Sequence, residues 1–240
     1  MRDAAGRAVS DTLGFVLVFG IIVSTVAVVY VGGFDALTGA RDAQRFANTE
    51  RAFDAIDANV EDLLVRGAPS RTTEIVLSDG TLTFGEPVSF NVTNGGATYY
   101  STTVTPIVYR ADDGDQLVYA NGALFRQYGD RAVMFDEPRI SDGDRLFVPY
   151  VVTRAASDSV ATSGTRRLLV RTVVRDQEVR KLEGGALELV VTSPRAGAWQ
   201  TYLEDELDAS CSRPGGDTVR CPLSATDVYV QAVVVDVAFT

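Results

Sequence analysis

The stretch Thr12–Phe34, with the sequence TLGFVLVFGIIVSTVAVVYVGGF, is the most informative feature of this chain. It carries no charge, is almost wholly apolar, and lies between Asp11 and Asp35. A bilayer core of about 30 Å requires roughly 20 apolar residues in an α-helix. No other stretch is long enough, so the sequence predicts one membrane-spanning segment at about residues 12–34. The rest of the chain would be held at the membrane by this single N-terminal anchor.

The chain as a whole has the composition of a folded, acidic protein. Of its 240 residues, 46% are hydrophobic, which is typical of a globular chain and not of a disordered one. The formal net charge is −10, and Lys181 is the only lysine. This charge argues against nucleic acid as a partner, because such binding depends on Lys and Arg neutralising phosphates. The acidic surface favours a halophilic source, with ordinary solubility charge as the alternative.

The residues that usually carry catalysis are scarce in this chain. It contains no histidine, which excludes Ser-His-Asp triads, Cys-His dyads and most catalytic zinc sites. Catalysis by carboxylates alone is not excluded by the composition. The acidic stretches Asp136-Glu137 and Glu204–Glu206, however, are interpreted as solvated surface. Asp112–Asp115 lacks the EF-hand spacing and is interpreted as a hairpin turn. We therefore expect no enzymatic activity, no cofactor and no metal site.

Two further features concern covalent modification. Cys211 and Cys221 flank the turn sequence Pro214–Asp217, which can bring the two thiols together. We expect a disulfide if this part of the chain is extracellular, with two free thiols as the alternative. Asn91-Val92-Thr93 is the only N-x-[ST] sequence, so Asn91 is a possible N-glycosylation site. The alternative is an ordinary strand residue.

The charges around the apolar run predict its orientation. Arg2 and Arg7 precede the run, whereas Asp35 follows it and the first arginine after it is Arg41. The positive-inside rule therefore places the N-terminus in the cytoplasm and the bulk of the chain outside the cell. The apolar run is too long for the core of a cleaved secretory signal peptide.

The segment Arg7-Ala8-Val9-Ser10-Asp11-Thr12-Leu13-Gly14, at the start of the apolar run, resembles the N-terminus of archaeal type IV pilins. In that family, prepilin peptidase removes a short charged leader before the hydrophobic helix. The resemblance implies cleavage between Ala8 and Val9, with Arg7 as the charged position. Val9-Ser10 and Gly14 match the haloarchaeal pattern VSPxxG, whereas Asp11 stands where proline is usual. The resemblance covers about the first 35 residues.

Beyond the membrane the pattern remains helical up to Arg66. Apolar residues recur at three- and four-residue steps (Leu37, Phe46, Phe53, Ile56, Val60, Leu63 and Leu64), which predicts an amphipathic helix. Its polar face contains two like-charge pairs, Glu50 with Asp54 and Asp57 with Glu61, so the helix requires an apolar partner. We expect a bend at Gly32-Gly33 and Gly39, and a stop at Gly67-Ala68-Pro69.

From Thr72 onward the sequence predicts β-structure. Runs rich in Val, Thr, Tyr and Phe are separated by Asp-Gly and Asn-Gly dipeptides, the strongest short hairpin signals. The predicted strands are Thr73–Leu77, Val88–Val92, Thr103–Tyr109, Leu117–Tyr119, Leu146–Val152, Arg167–Val174, Leu187–Thr192 and Val228–Val237. Ser193–Asp208 is predicted as a short helix, with Trp199 as a packing residue. Alternation in the last strand puts Val228, Val230, Ala232 and Val234 on one face.

Together these features predict an α+β protein with three parts. A cytoplasmic leader (residues 1–8) precedes a long helix (residues 9–66) that contains the membrane segment. An extracellular antiparallel β-rich domain, a sandwich or stacked meander, follows at residues 67–240. The predicted partners are membrane lipid, prepilin peptidase and other pilin-like subunits. The favoured function is a minor subunit or accessory of a type IV pilus-like filament, and the alternative is an anchored binding or envelope protein that does not polymerise.

Overall fold

A computed structural model describes residues 4–77, 80–140, 145–156, 162–225 and 227–240. Side chains are described from residue 13 onward in these ranges, except those of Asp35 and Asp42. The chain divides into two compact units, Met1–Ala47 and Asn48–Thr240. The division falls inside the long helix and not after it, so the last helical turns belong to the same compact unit as the β-strands.

The N-terminal helix α1 extends over Ala4–Arg66 as one continuous element. It continues through Gly32, Gly33 and Gly39, where the sequence predicts a bend. A glycine inside a helix costs only about 1 kcal/mol relative to alanine, which the surrounding helix-forming residues offset. The helix ends at Arg66, and Gly67 follows it with φ +65°, a left-handed conformation that glycine adopts without strain. The predicted stop is therefore correct.

The second unit contains fifteen strands and one short helix among the residues that the structure describes. The strands are β1 (Ser70–Leu77), β2 (Gly80–Phe84), β3 (Val88–Asn94), β4 (Ala97–Val104), β5 (Ile107–Ala111), β6 (Gln116–Ala120), β7 (Ala123–Tyr128), β8 (Arg131–Asp136), β9 (Leu146–Ala155), β10 (Thr162–Ser163), β11 (Arg166–Glu183), β12 (Leu187–Thr192), β13 (Ser212–Gly215), β14 (Thr218–Pro222) and β15 (Asp227–Phe239). Helix α2 covers Ala196–Leu207, close to its predicted position. The α+β class is confirmed.

The strands form three sheets of four, six and five strands. Their orders are β1-β11-β15-β9, then β10-β2-β5-β6-β7-β8, then β13-β14-β12-β3-β4. The pairing is antiparallel except between β9 and β15, which run parallel from Val228 opposite Leu146 to Val237 opposite Ala155. A parallel pair requires a long crossover connection, so a simple meander does not describe this sheet.

Local turn signals predict the hairpins well. Asn121 and Gly122 form the two-residue turn between β6 and β7, with φ of 56° and 74°. Both residues have positive φ, as a type I′ hairpin turn requires. The Asp112–Asp115 segment forms the predicted turn between β5 and β6, where the Asp115 amide donates to the Asp113 carboxylate at 3.1 Å. The predicted strand Thr103–Tyr109 is wrong, because the chain leaves β4 at Val104 and begins β5 at Ile107, after Pro106.

Residues from all three sheets and helix α2 contribute to one core. Trp199 is 1% exposed and lies at its centre, with ring centroids 5.2 Å from Phe90 and 5.6 Å from Phe125. The prediction that Trp199 is a packing residue is confirmed. Cys221 is also buried in this core and is joined to Cys211 by a disulfide that closes the β13–β14 hairpin. This is the pairing that the Pro214–Asp217 turn predicts.

Candidate functional site

The apolar run in the first unit is exposed along the part whose side chains the structure describes. Every residue from Leu13 to Phe34 is exposed, including Phe15, Ile22 and Tyr30 at 70%, 55% and 72%. By length and composition, this is the one helix among the described residues that is long and apolar enough to cross a membrane. An exposed apolar surface of this extent marks a site of interaction with lipid or protein.

The predicted processing residues Arg7, Ala8 and Val9 lie within helix α1. Their side chains are outside the described part of the chain, so the structure adds no contact at the predicted cleavage position. Asn91 lies in the middle of β3, between β12 and β4, and its side chain is half-buried. It is a strand residue, and glycosylation there stays a prediction.

The last five turns of helix α1, from about Asn48 onward, pack in the second unit. The buried side chains Phe53, Ile56, Val60 and Leu63 are each at most 1% exposed. Their three- and four-residue spacing is the apolar face that the sequence predicts. Burial of this face fixes the direction of the charged side chains that flank it.

Ion pairs hold the charged face of this helix segment to loops and strands of the same unit. Glu50 pairs with Arg126 of β7, and Glu61 pairs with Arg139 through two contacts of 2.8 and 3.1 Å. Asp62 pairs with Arg71 of β1 at 3.1 Å. Three separate pairs therefore attach one helix face to three different segments of the β-unit, and these contacts position the remaining carboxylates.

Beside these pairs lies a cleft with a volume of about 420 Å³, which is within the size range of small-molecule sites. One wall comes from helix α1 and another from β9, with Tyr119, the β6–β7 turn and the segment after β8 completing it. Its apolar lining includes Leu64, Val65, Phe147, Pro149 and Val151. Its ionisable lining consists of five carboxylates and one guanidinium: Asp54, Asp57, Glu61, Asp136, Glu137 and Arg139. The cleft therefore combines apolar walls with an excess of negative charge.

Asp57 is the most strongly perturbed of these carboxylates. Its pKa is raised from 3.8 to about 7, first by burial and then by the charges of Asp136 and Glu61, against a lowering effect of Arg139. The pKa of Asp54 is also raised, by burial and by its neighbours Glu50 and Asp136. Among the described residues, no basic side chain forms a salt bridge with Asp54, Asp57 or Asp136. The negative charge at this end of the cleft is therefore offset only in part, by the nearby charges of Arg126 and Arg139.

The floor of the cleft contains a buried polar group with poor hydrogen bonding. Tyr119 is 0% exposed, and its hydroxyl lies near the Gly122 backbone but makes no hydrogen bond of good geometry with a described residue. Burial raises the Tyr119 pKa, the Asp57 charge raises it further, and the adjacent Gly122 backbone offsets part of the rise. A buried hydroxyl without a partner costs free energy, and such groups in native structures are uncommon enough to require a reason.

The sequence does not predict this cleft. Asp136-Glu137 is interpreted from the sequence as solvated surface, and no local pattern indicates that two carboxylates face each other, whereas the fold brings Asp136 close enough to raise the Asp57 pKa. The available signal was the like-charge pair Asp57 and Glu61 on one helix face. Such a pair is unfavourable in an isolated helix and indicates that something else compensates it.

Comparison with known proteins assigns the chain to a family but adds no activity. No curated protein matches the chain, and no solved structure matches it. One family model matches residues 7–238, almost the whole length. That match includes both the apolar helix and the β-rich unit, so the two parts recur together in the family. The chain belongs to the family of unknown function DUF7289.

Proposed function

We propose that this protein is an N-terminally anchored, pilin-like surface protein that serves as a minor subunit or accessory of a type IV pilus-like filament. The observation that carries the proposal is the uncovered apolar surface of helix α1 from Leu13 to Phe34. A soluble monomer rarely exposes so large a continuous apolar surface, because water must then hydrate it. Lipid covers it before assembly, and neighbouring copies of the same helix cover it in a filament.

The charge distribution supports the topology. With Arg2 and Arg7 before the apolar segment and Asp35 after it, the N-terminus is cytoplasmic and the β-rich unit is extracellular. The disulfide between Cys211 and Cys221 agrees with this topology, because disulfides persist in oxidising, extracytoplasmic surroundings. The acidic composition suits a saline exterior, as expected of a halophilic archaeon.

The sequence at the start of the helix supports processing by prepilin peptidase between Ala8 and Val9. Cleavage removes the cytoplasmic arginines Arg2 and Arg7, whose transfer into lipid is costly. The shortened helix can then leave the bilayer and pack among its copies. Intact-mass analysis of the protein from its native membrane should find a chain that begins at Val9. A mature chain that keeps Met1 or Arg2, or that starts after Gly33, contradicts this step.

Filament assembly requires small residues at the glycine positions of the apolar segment. A Cβ added at Gly14 or Gly20 meets no atom within 4 Å in the single chain, so a larger side chain fits there without strain. In a filament the same positions allow close approach of neighbouring helices. Gly20→Leu should therefore leave membrane insertion intact and reduce the amount of protein in sheared filaments.

The matched control is Val18→Leu, which enlarges a side chain that is already 55% exposed on the same segment. It should reduce filament incorporation much less than Gly20→Leu. If the wild-type protein remains wholly in the membrane fraction after shearing under all growth conditions, the filament assignment is wrong. The alternative, an anchored surface protein that does not polymerise, then replaces it; Asp11 in place of the usual proline is the feature that favours this alternative.

A further inference from the structure

The cleft between helix α1 and β9 has the chemistry of a ligand site that the anchoring role does not use. All of its lining residues belong to the second unit, so it does not depend on the membrane segment. We propose that this cleft binds a small organic cation, with its apolar body against Leu64, Val65 and Phe147 and its charged head beside Asp57 and Asp136. The inference is independent of filament assembly.

Charge complementarity indicates that the ligand is positively charged. Five carboxylates line the cleft, and the single guanidinium among them, that of Arg139, is already bound to Glu61 by two contacts. A cationic head placed between helix α1 and the end of β8 would neutralise charges that repel one another in the free protein. An anion would add to that repulsion, so anionic ligands are excluded by the same geometry.

The Tyr119 side chain closes the acidic end of the cleft. It lies beside Asp57 and is 0% exposed, so its hydroxyl is out of reach of a ligand in the cleft. The groups that attract the cationic head are therefore the carboxylates of Asp57 and Asp136.

The apolar walls require a ligand with a hydrocarbon body and not a bare metal ion. Phe147 is 47% exposed and stacks on Tyr229 at 5.1 Å between ring centroids, and Val65 is 67% exposed. No group of three or more potential metal ligands is found among the described residues. An alkyl chain with one cationic end matches both the apolar walls and the acidic end.

Binding should also depend on pH, because the site must be ionised to attract the cation. Asp57 faces Asp54 and Glu61 on its own helix, Asp136 at the end of β8, Arg139 in the following segment and Tyr119 on β6. A cation binds best when Asp57 is ionised, so affinity should fall as the pH decreases below about 7, by up to tenfold per pH unit. A neutral alcohol of the same shape should show no such dependence.

The test uses the full-length protein in nonionic detergent micelles, which carry no cationic group that could compete for the cleft, and follows the backbone amide signal of Gly122 by NMR during titration. The probes are n-butylammonium, the neutral n-butanol and the anionic butyrate. n-Butylammonium should bind saturably, n-butanol at least tenfold more weakly, and butyrate not at all. Equal affinity for n-butylammonium and n-butanol would overturn the proposal.

Variants locate the binding site. The double change Asp57→Asn and Asp136→Asn should weaken n-butylammonium binding at least tenfold. Asp112→Asn, on the exposed β5–β6 turn outside the cleft, removes the same charge and should leave the affinity unchanged. An undiminished affinity in the double variant, or an equal loss in Asp112→Asn, would show that the cation does not bind in this cleft. A matching Trp199 fluorescence spectrum checks that each variant is folded.

Discussion

Replacing Asp57 with Asn should stabilise the folded protein, and the gain should grow as the pH rises. The fold raises the Asp57 pKa from 3.8 to about 7, so the folded chain binds a proton more readily than the unfolded chain. The stability that Asp57 contributes is complete below pH 3.8 and is lost as the pH rises through about 7. One pKa unit corresponds to about 1.4 kcal/mol, so ionised Asp57 costs at most about 4 kcal/mol at pH 8.

The amide that replaces the carboxylate in the Asp57→Asn variant cannot ionise and escapes this cost. The free energy of unfolding of this variant should therefore exceed that of the wild type by up to about 4 kcal/mol at pH 8 and about 2 kcal/mol at pH 5. Trp199, the only tryptophan and 1% exposed, provides the fluorescence signal for denaturant unfolding of the full-length protein in detergent. The matched control Asp112→Asn should change the free energy of unfolding by less than about 0.5 kcal/mol at either pH.

Two results would refute this reasoning. The first is an Asp57→Asn variant that is less stable than the wild type at pH 8, which would mean that the carboxylate makes favourable contacts in its ionised form. The second is a gain that is the same at pH 5 and pH 8, which would mean that the effect does not arise from ionisation. A gain that grows with pH would also explain why a destabilising residue is useful here, since the same charge serves the proposed cation site.

The remaining predictions concern the framework of the second unit. Replacing Cys211 and Cys221 with Ser should lower the free energy of unfolding by about 2–3 kcal/mol, because the disulfide closes a short loop in the unfolded chain; a reducing agent should lower the wild-type melting temperature and leave that of the variant unchanged. Ile56→Ala should cost about 2–5 kcal/mol, since Ile56 is 0% exposed, whereas Leu37→Ala, at a position 63% exposed, should not change unfolding detected by Trp199 fluorescence. Gly80→Ala should cost about 1–3 kcal/mol, because its Cβ would lie 2.8 Å from the Arg110 carbonyl oxygen; a melting temperature equal to that of the wild type would contradict this.

Alternation along β15 shows where local patterns stop being informative. The sequence predicts that Val228, Val230, Ala232 and Val234 share one face, and the first three of these are buried. After Ala232 the burial changes side, and Val233, Val235 and Val237 are buried instead. Strand β15 pairs with β9 without a register shift, so its side chains keep alternating between the two faces. Val228, Val230 and Ala232 belong to the shared core, whereas Val233, Val235 and Val237 lie outside that cluster, so the switch depends on what covers each face and not on the β15 sequence.

Three features of this protein are encoded in short stretches of its sequence. The apolar run Thr12–Phe34, the buried stripe from Phe53 to Leu63, and the hairpin at Asn121-Gly122 each follow from periodicity or from the conformational freedom of a few adjacent residues. The parallel pairing of β9 with β15 and the set of charges that come together in the cleft depend on tertiary packing, and no short stretch of sequence predicts them. Asp57 and Asp136 are far apart in the chain and have no local pattern in common. They interact because Asp57 flanks the buried face of the helix, and packing of that face places it beside the end of β8, where less water is available to screen the two carboxylates.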